Sequence, residues 1–221
     1  MNTKFLILTC ALAGGSILRA TALTPPPCCP APETKTACCI IEKPAVAPCC
    51  LEEKPNAPLA AKSLYQLDLP WTDDAGATVR LASLRGKPVV LAMFFAQCEY
   101  ACPILVNDIQ RLRAALPVTI RDDARMVLVS FDVQRDTPAA LKAYRERASL
   151  DANWTLLHGD MNAVQELAML LGVKFKQDAR GQFSHSNLFT ILNVHGEIVH
   201  QHAGLQGDIS EAAKALALAA K

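Results

Sequence analysis

Residues 88–95 are apolar throughout, the pattern of a strand buried on both faces. Residues 125–131, Arg-Met-Val-Leu-Val-Ser-Phe, repeat it almost as completely. Between these runs, Leu105, Ile109, Leu112 and Leu116 recur at helical spacing. Pro103 is expected at the first position of that helix, where its missing N–H is not needed. Thr137 and Pro138 cap and start another helix, running to about Ala148. Residues 154–157 form a short strand, and Asp160 caps a helix with an apolar stripe of Val164, Leu167, Ala168 and Leu171. Residues 188–193 and 197–201 read as strands on either side of a His195-Gly196 hairpin turn. Residues 208–218 close the chain as a helix. Near the start of this region, residues 65–69 alternate like a strand, Asp73-Asp74-Ala75-Gly76 turns, and residues 78–81 return as a second strand.

The order is therefore a β-hairpin followed by βαβα, βα and ββα. It predicts an α/β domain over residues 63–221, a thioredoxin-like fold with an N-terminal β-hairpin and a central mixed sheet flanked by helices. A chain of 221 residues with 51% hydrophobic residues can bury a sizeable core. Residues 63–221 contain two cysteines, so this domain rests on its core and not on a disulfide framework.

Upstream, the composition changes twice. Lys4 provides a minimal positive start, residues 5–18 carry no charge, and Ala20-Thr21-Ala22 reads as a small-residue cleavage site. Residues 1–22 are thus expected to be an export signal, which directs the chain to an oxidising compartment, the periplasm. The apolar stretch is short of the ~20 residues that span a bilayer; if retained, it would leave the protein membrane-associated. Lipidation at Cys10 is disfavoured by Thr9 before it. Removing residues 1–22 deletes Lys4 and Arg19 and no acid, leaving 20 basic against 21 acidic residues. That balance gives no support for nucleic-acid binding.

Residues 23–62 hold nine of the fourteen prolines, no glycine and no aromatic residue. They are expected to be a disordered tether. The tether carries three cysteine pairs, Cys28-Cys29, Cys38-Cys39 and Cys49-Cys50. Adjacent Cα atoms lie about 3.8 Å apart, closer than the roughly 4.4–6.8 Å of a relaxed disulfide. Bonds between pairs, or shared soft-metal binding, are easier than bonds within a pair. Two readings stand side by side: an auxiliary Cu(I)-binding tail and a disulfide-looped spacer.

Cys98 and Cys102 occur as Cys-Glu-Tyr-Ala-Cys-Pro between a buried strand and a helix start. The positive end of a helix favours thiolate over thiol. Thiolates are nucleophiles and soft-metal ligands, so redox chemistry, copper chemistry or both are expected here. Three patterns then narrow the choice. The spacing is Cys-x-x-x-Cys, whereas general thiol-disulfide exchangers usually show Cys-x-x-Cys. The last proline is Pro138, so no proline precedes the late hairpin, which is approached through Phe183-Ser184-His185-Ser186-Asn187. Finally, Asp132-Val133-Gln134-Arg135-Asp136-Thr137-Pro138 follows the second central strand.

Together with Phe95-Ala96-Gln97 before Cys98, Pro103 after Cys102, and the late Gly196-Glu197-Ile198-Val199 hairpin, these segments resemble the Sco/SenC family of copper-binding thioredoxin-like proteins. The resemblance implies one copper held by Cys98, Cys102 and His185. It implies a metallochaperone that helps to assemble the dinuclear copper site of cytochrome c oxidase subunit II. Its partners would be that apo copper protein and a periplasmic copper donor or thiol reductant. Asp132 and Asp136 match acidic positions of the family and are candidates to support the site or a partner. The paired-cysteine tail and the cleavable start depart from the family pattern.

The donor set suits Cu(I), which is soft and accepts two thiolates and an imidazole. The alternative is a thiol-disulfide oxidoreductase in which Cys98 and Cys102 reduce the cysteines of the target copper site. His185 separates the two, because a dithiol reductase does not need it. A thiol peroxidase is disfavoured, since Thr-x-x-Cys is absent around Cys98. His200 and His202 share one face of a strand and are expected to be exposed polar residues in preference to a second metal site. His158 and His195 read as strand-end and turn residues, and Met93, Met126, Met161 and Met169 as core.

Overall fold

The computed structural model describes residues 58–221. The expected leader (1–22), almost all of the tether (23–62) and its six paired cysteines lie outside the described residues. Among the described residues no helix is long and apolar enough to cross a membrane.

Nine strands and five α-helices follow one another from Trp71. The strands are β1 (Trp71–Asp73), β2 (Thr78–Val79), β3 (Val89–Phe94), β4 (Arg125–Ser130), β5 (Trp154–His158), β6 (Phe175–Gln177), β7 (Phe183–His185), β8 (Leu188–Leu192) and β9 (Ile198–Ala203). The helices are α1 (Ala101–Ala114), α2 (Val118–Asp123), α3 (Pro138–Arg147), α4 (Met161–Leu171) and α5 (Ser210–Ala219). Seven strands form one mixed sheet in the order β2-β1-β5-β4-β3-β8-β9. β3 lies parallel to β4 and antiparallel to β8. Every residue of β3 is buried, as its continuous apolar run requires. Helix α1 packs against α5 and β8, and α3 packs on β5 and β1. The predicted thioredoxin-like α/β layout is therefore present.

The caps act as their sequences indicate. Thr137 accepts the Ala140 N–H at the start of α3, and Asp160 accepts the Ala163 N–H at the start of α4. The Asp73–Gly76 turn joins β1 to β2, and its Asp74 carboxylate accepts from Nε and Nη2 of Arg145 on α3.

Four local expectations are corrected. Residues 65–69 are not a strand. Leu64–Gln66 is a short 3-10 helix, held when Ser63 Oγ donates to the His195 carbonyl and the Leu64 N–H donates to the Gly196 carbonyl, 2.8 Å away. The hairpin partner of β2 is β1, and Leu81 begins a second 3-10 turn, Leu81–Leu84. Helix α1 starts at Ala101, so Pro103 is its third residue. A backbone N–H is still unneeded there, because the first four amides of a helix lack intrahelical acceptors. The turn between β8 and β9 includes Val194 as well as His195 and Gly196, with the Asn193 side chain accepting the His195 and Glu197 N–H groups.

Two elements were not expected: α2, and the β6–β7 hairpin. The latter forms a separate two-stranded sheet and carries His185.

Candidate metal centre

Cys98 stands in the loop that leaves β3, and Cys102 is the second residue of α1. The Cys98 sulfur accepts the Cys102 N–H at 3.2 Å, so this side chain occupies the unsatisfied amide end of the helix. The thiols are chemically unequal. Cys98 is half-buried, and its pKa is pulled down to about 5. The hydrogen bond from the Cys102 thiol is the largest cause, and the backbone N–H groups of Cys102 and Tyr100 add to it. Cys102 is fully buried, and its thiol is pushed far up because its proton is engaged with Cys98 and burial disfavours the charge. Both cysteines are free thiols.

His185 ends β7, directly across from Phe175. Its Nε2 lies 3.6 Å from the Cys102 sulfur. Its Nδ1 lies 3.0 Å from the Ser186 carbonyl. A neutral ring that donates from Nδ1 to a carbonyl leaves the Nε2 lone pair free for a metal. Phe131 and Phe95 support the ring, with centroids 5.1 and 6.1 Å away. The donor atoms of Cys98, Cys102 and His185 all lie within 4.8 Å of one another. The fold thus brings together three residues separated by as many as 87 positions of chain. Cys98 and His185 line an open cleft of about 1060 Å³, with Tyr100, Phe183 and Asn187 on its walls.

Asp132 and Asp136 lie in the connection from β4 to α3. Both are buried. Asp136 accepts the Ala96 N–H at 2.8 Å and the Ser130 hydroxyl at 2.6 Å, which fastens the thiol loop to the β4 end. Burial raises its pKa, while those two hydrogen bonds oppose the rise. Asp132 pairs with Arg135, whose Nη2 donates to the Gly181 carbonyl at 2.5 Å in the β6–β7 turn. The two acids therefore touch the supports of the site. Arg135 was not singled out from sequence, although its spacing of three from Asp132 is a pattern of local ion pairs. Arg147, which donates to the Ala96 carbonyl at 2.9 Å, had no sequence signal.

The remaining candidates separate from this group. His200 and His202 are half-buried rather than exposed, and His202 stacks on Phe189 with centroids 4.9 Å apart. Among the described residues they join no cluster of metal-ligating side chains. His158 ends β5 and His195 lies in the β8–β9 turn, as expected. Met93 and Met126 are core, but Met161 and Met169 on α4 are 40% and 76% exposed, because the apolar stripe of that helix turns them outward.

Residues 59–221 match the family model described as SCO1/SenC. The chain belongs to the SCO1/SenC family. A Stutzerimonas stutzeri protein described as a candidate copper-binding protein is 28% identical over 141 residues, covering 62% of this chain and 67% of that one. A SCO1 protein homolog of Bacillus subtilis is 25% identical over 135 residues, covering 59% and 69%. The copper-bound structure of Bradyrhizobium japonicum ScoI superposes with a TM-score of 0.56 at 25% identity, covering 68% of this chain and 96% of that one. The predicted family and fold are those found.

Proposed function

We propose that this protein is a copper metallochaperone, holding one copper through Cys98, Cys102 and His185. The observation that carries this reading is the convergence of two sulfurs and one imidazole nitrogen within 4.8 Å, with the ring oriented by the Ser186 carbonyl. Two thiolates and one imidazole suit Cu(I). Structural zinc takes four protein ligands, and among the described residues no fourth His, Cys, Asp or Glu joins the group. The copper-bound Bradyrhizobium relative supports the same metal. Copper is the cargo here. Cys98 and His185 face the cleft, so an incoming cysteine or histidine of a recipient has access to the metal from that side. We assign the recipient as an apo copper protein, the dinuclear copper site of cytochrome c oxidase subunit II, on family resemblance. Export to the periplasm and auxiliary Cu(I) binding by the six tail cysteines complete the reading, and both rest on sequence.

The contrast between the thiols favours a second activity of the same pair. Cys98, as thiolate, attacks one sulfur of a client disulfide, and the client's other sulfur leaves as a thiolate. Cys102 then gives up its proton and attacks the Cys98 sulfur, releasing the second client thiol. The client gains two electrons and the pair becomes a disulfide. His185→Ala separates the functions: Cu(II) affinity is expected to fall at least about tenfold while dithiol oxidation stays largely intact. Unchanged Cu(II) affinity would overturn the three-ligand chaperone site.

A further inference from the structure

His185 does not belong to the main sheet. It sits on the β6–β7 hairpin, a separate two-stranded unit. Phe175 and Phe183 hold this hairpin to the body by packing on Phe131, with centroids 5.2 and 5.0 Å away. Apolar packing is non-directional, so it does not by itself fix where the imidazole points.

The Ser186 carbonyl orients the ring within the hairpin, and Arg135 orients the hairpin itself. Its Nε pairs with the buried Asp132 carboxylate, and its Nη2 donates to the Gly181 carbonyl at the hairpin's tip. The guanidinium also lies over Phe183, 5.8 Å from the ring centroid. Gly181 has φ +76°, a left-handed conformation that suits glycine, and its position lies in van der Waals reach of Arg135 Nη1. Asp132 is buried and receives the Arg135 N–H as well, so the arginine is anchored at its base.

We propose that Arg135 is the positioning residue for His185, setting whether the copper site has three protein ligands or two. This rests on the copper reading above. Without the clamp the two thiolates remain in place, since Cys98 and Cys102 are held by α1 and the Asp136 contact. Thiolates alone still suit Cu(I), whereas Cu(II) favours imidazole nitrogen. Arg135 therefore governs Cu(II) retention far more than Cu(I) retention.

The test uses the full chain with Cys10 and the six tail cysteines changed to serine, so that Cys98 and Cys102 are its only thiols. Cu(I) and Cu(II) affinities and the nitrogen coupling in the Cu(II) electron paramagnetic resonance spectrum are measured. The variants are Arg135→Met, Arg135→Lys, His185→Ala and the double Arg135→Met/His185→Ala. Lysine keeps a charge beside Asp132 but cannot span both acceptors, so it decides the question if the methionine variant does not fold. The expected result is a Cu(II) affinity lowered about 10–100-fold, a spectrum shifted to that of His185→Ala, and Cu(I) affinity within about threefold of the parent. The double variant should be no worse than His185→Ala alone, since both changes remove one interaction. A parental spectrum and Cu(II) affinity in Arg135→Met and Arg135→Lys would overturn the proposal and leave the copper reading standing. Additive losses in the double variant would also overturn it. A parent that binds no copper would overturn the copper reading, and the proposal with it.

Discussion

Cys98 and Cys102 differ in ways that decide their chemistry: Cys98 accepts the Cys102 thiol proton and the Cys102 N–H at the helix end, whereas Cys102 is the donor and lies buried. A thiol with its pKa near 5 is almost wholly thiolate at pH 7, whereas an ordinary thiol is so to a few per cent. In the reduced, metal-free protein, alkylation by iodoacetamide followed by peptide mapping should label Cys98 throughout the range above pH 6 and spare Cys102. Labelling of both at equal rates, with a midpoint near 8.5, would show that neither the Cys102 thiol nor the helix end acts on Cys98. Asp136 plays its part through hydrogen bonds. Asp136→Ala orphans the Ala96 N–H and the Ser130 hydroxyl, so unfolding experiments should show a loss of about 1–3 kcal/mol. A neutral effect would mean water replaces the carboxylate. The cysteines were legible because their signal is local: a thiol pair where an apolar run meets a helix start. The long-range contacts around Asp132 and Asp136 were not, since Gly181 lies 46 residues from Arg135 and Ala96 lies 40 residues from Asp136.

At the scale of elements, long apolar runs and capped helices were readable because burial and capping leave periodic marks. The elements missed are short. β6 and β7 have three residues each and are rich in polar side chains, with half-buried Phe175, Phe183 and His185 as their only inward residues. No period emerges from so few positions. The misread segment 65–69 alternates like a strand, yet docking on the β8–β9 turn outweighs that pattern. Gly196 makes the docking possible. It has φ +81°, and a Cβ there would lie within 2.7 Å of three Tyr65 ring atoms. Gly196→Ala combines backbone strain with overpacking and should cost about 2–5 kcal/mol. A differential scanning measurement should find Tm lower by on the order of 10 °C. A shift under about 2 °C would show that the 3-10 segment moves away at little cost.

At the scale of the whole domain, the β3–α1 connection of the main sheet supplies the thiols and a satellite hairpin supplies the imidazole. The order of elements predicts the first arrangement; the second depends on contacts far apart in sequence. The tail adds capacity in our reading. Reduced full chain should take up more than one Cu(I), and replacing its six paired cysteines by serine should return the stoichiometry to one. Equal stoichiometry in the two chains would make the tail a spacer. The most direct measurement is an anaerobic Cu(I) competition titration on that serine-tailed chain, beside a version that also carries Cys98→Ser and Cys102→Ser. One tightly held copper in the first and none in the second is the predicted result. No tight copper in the first would contradict a metallochaperone site and leave Cys98 and Cys102 as a redox pair.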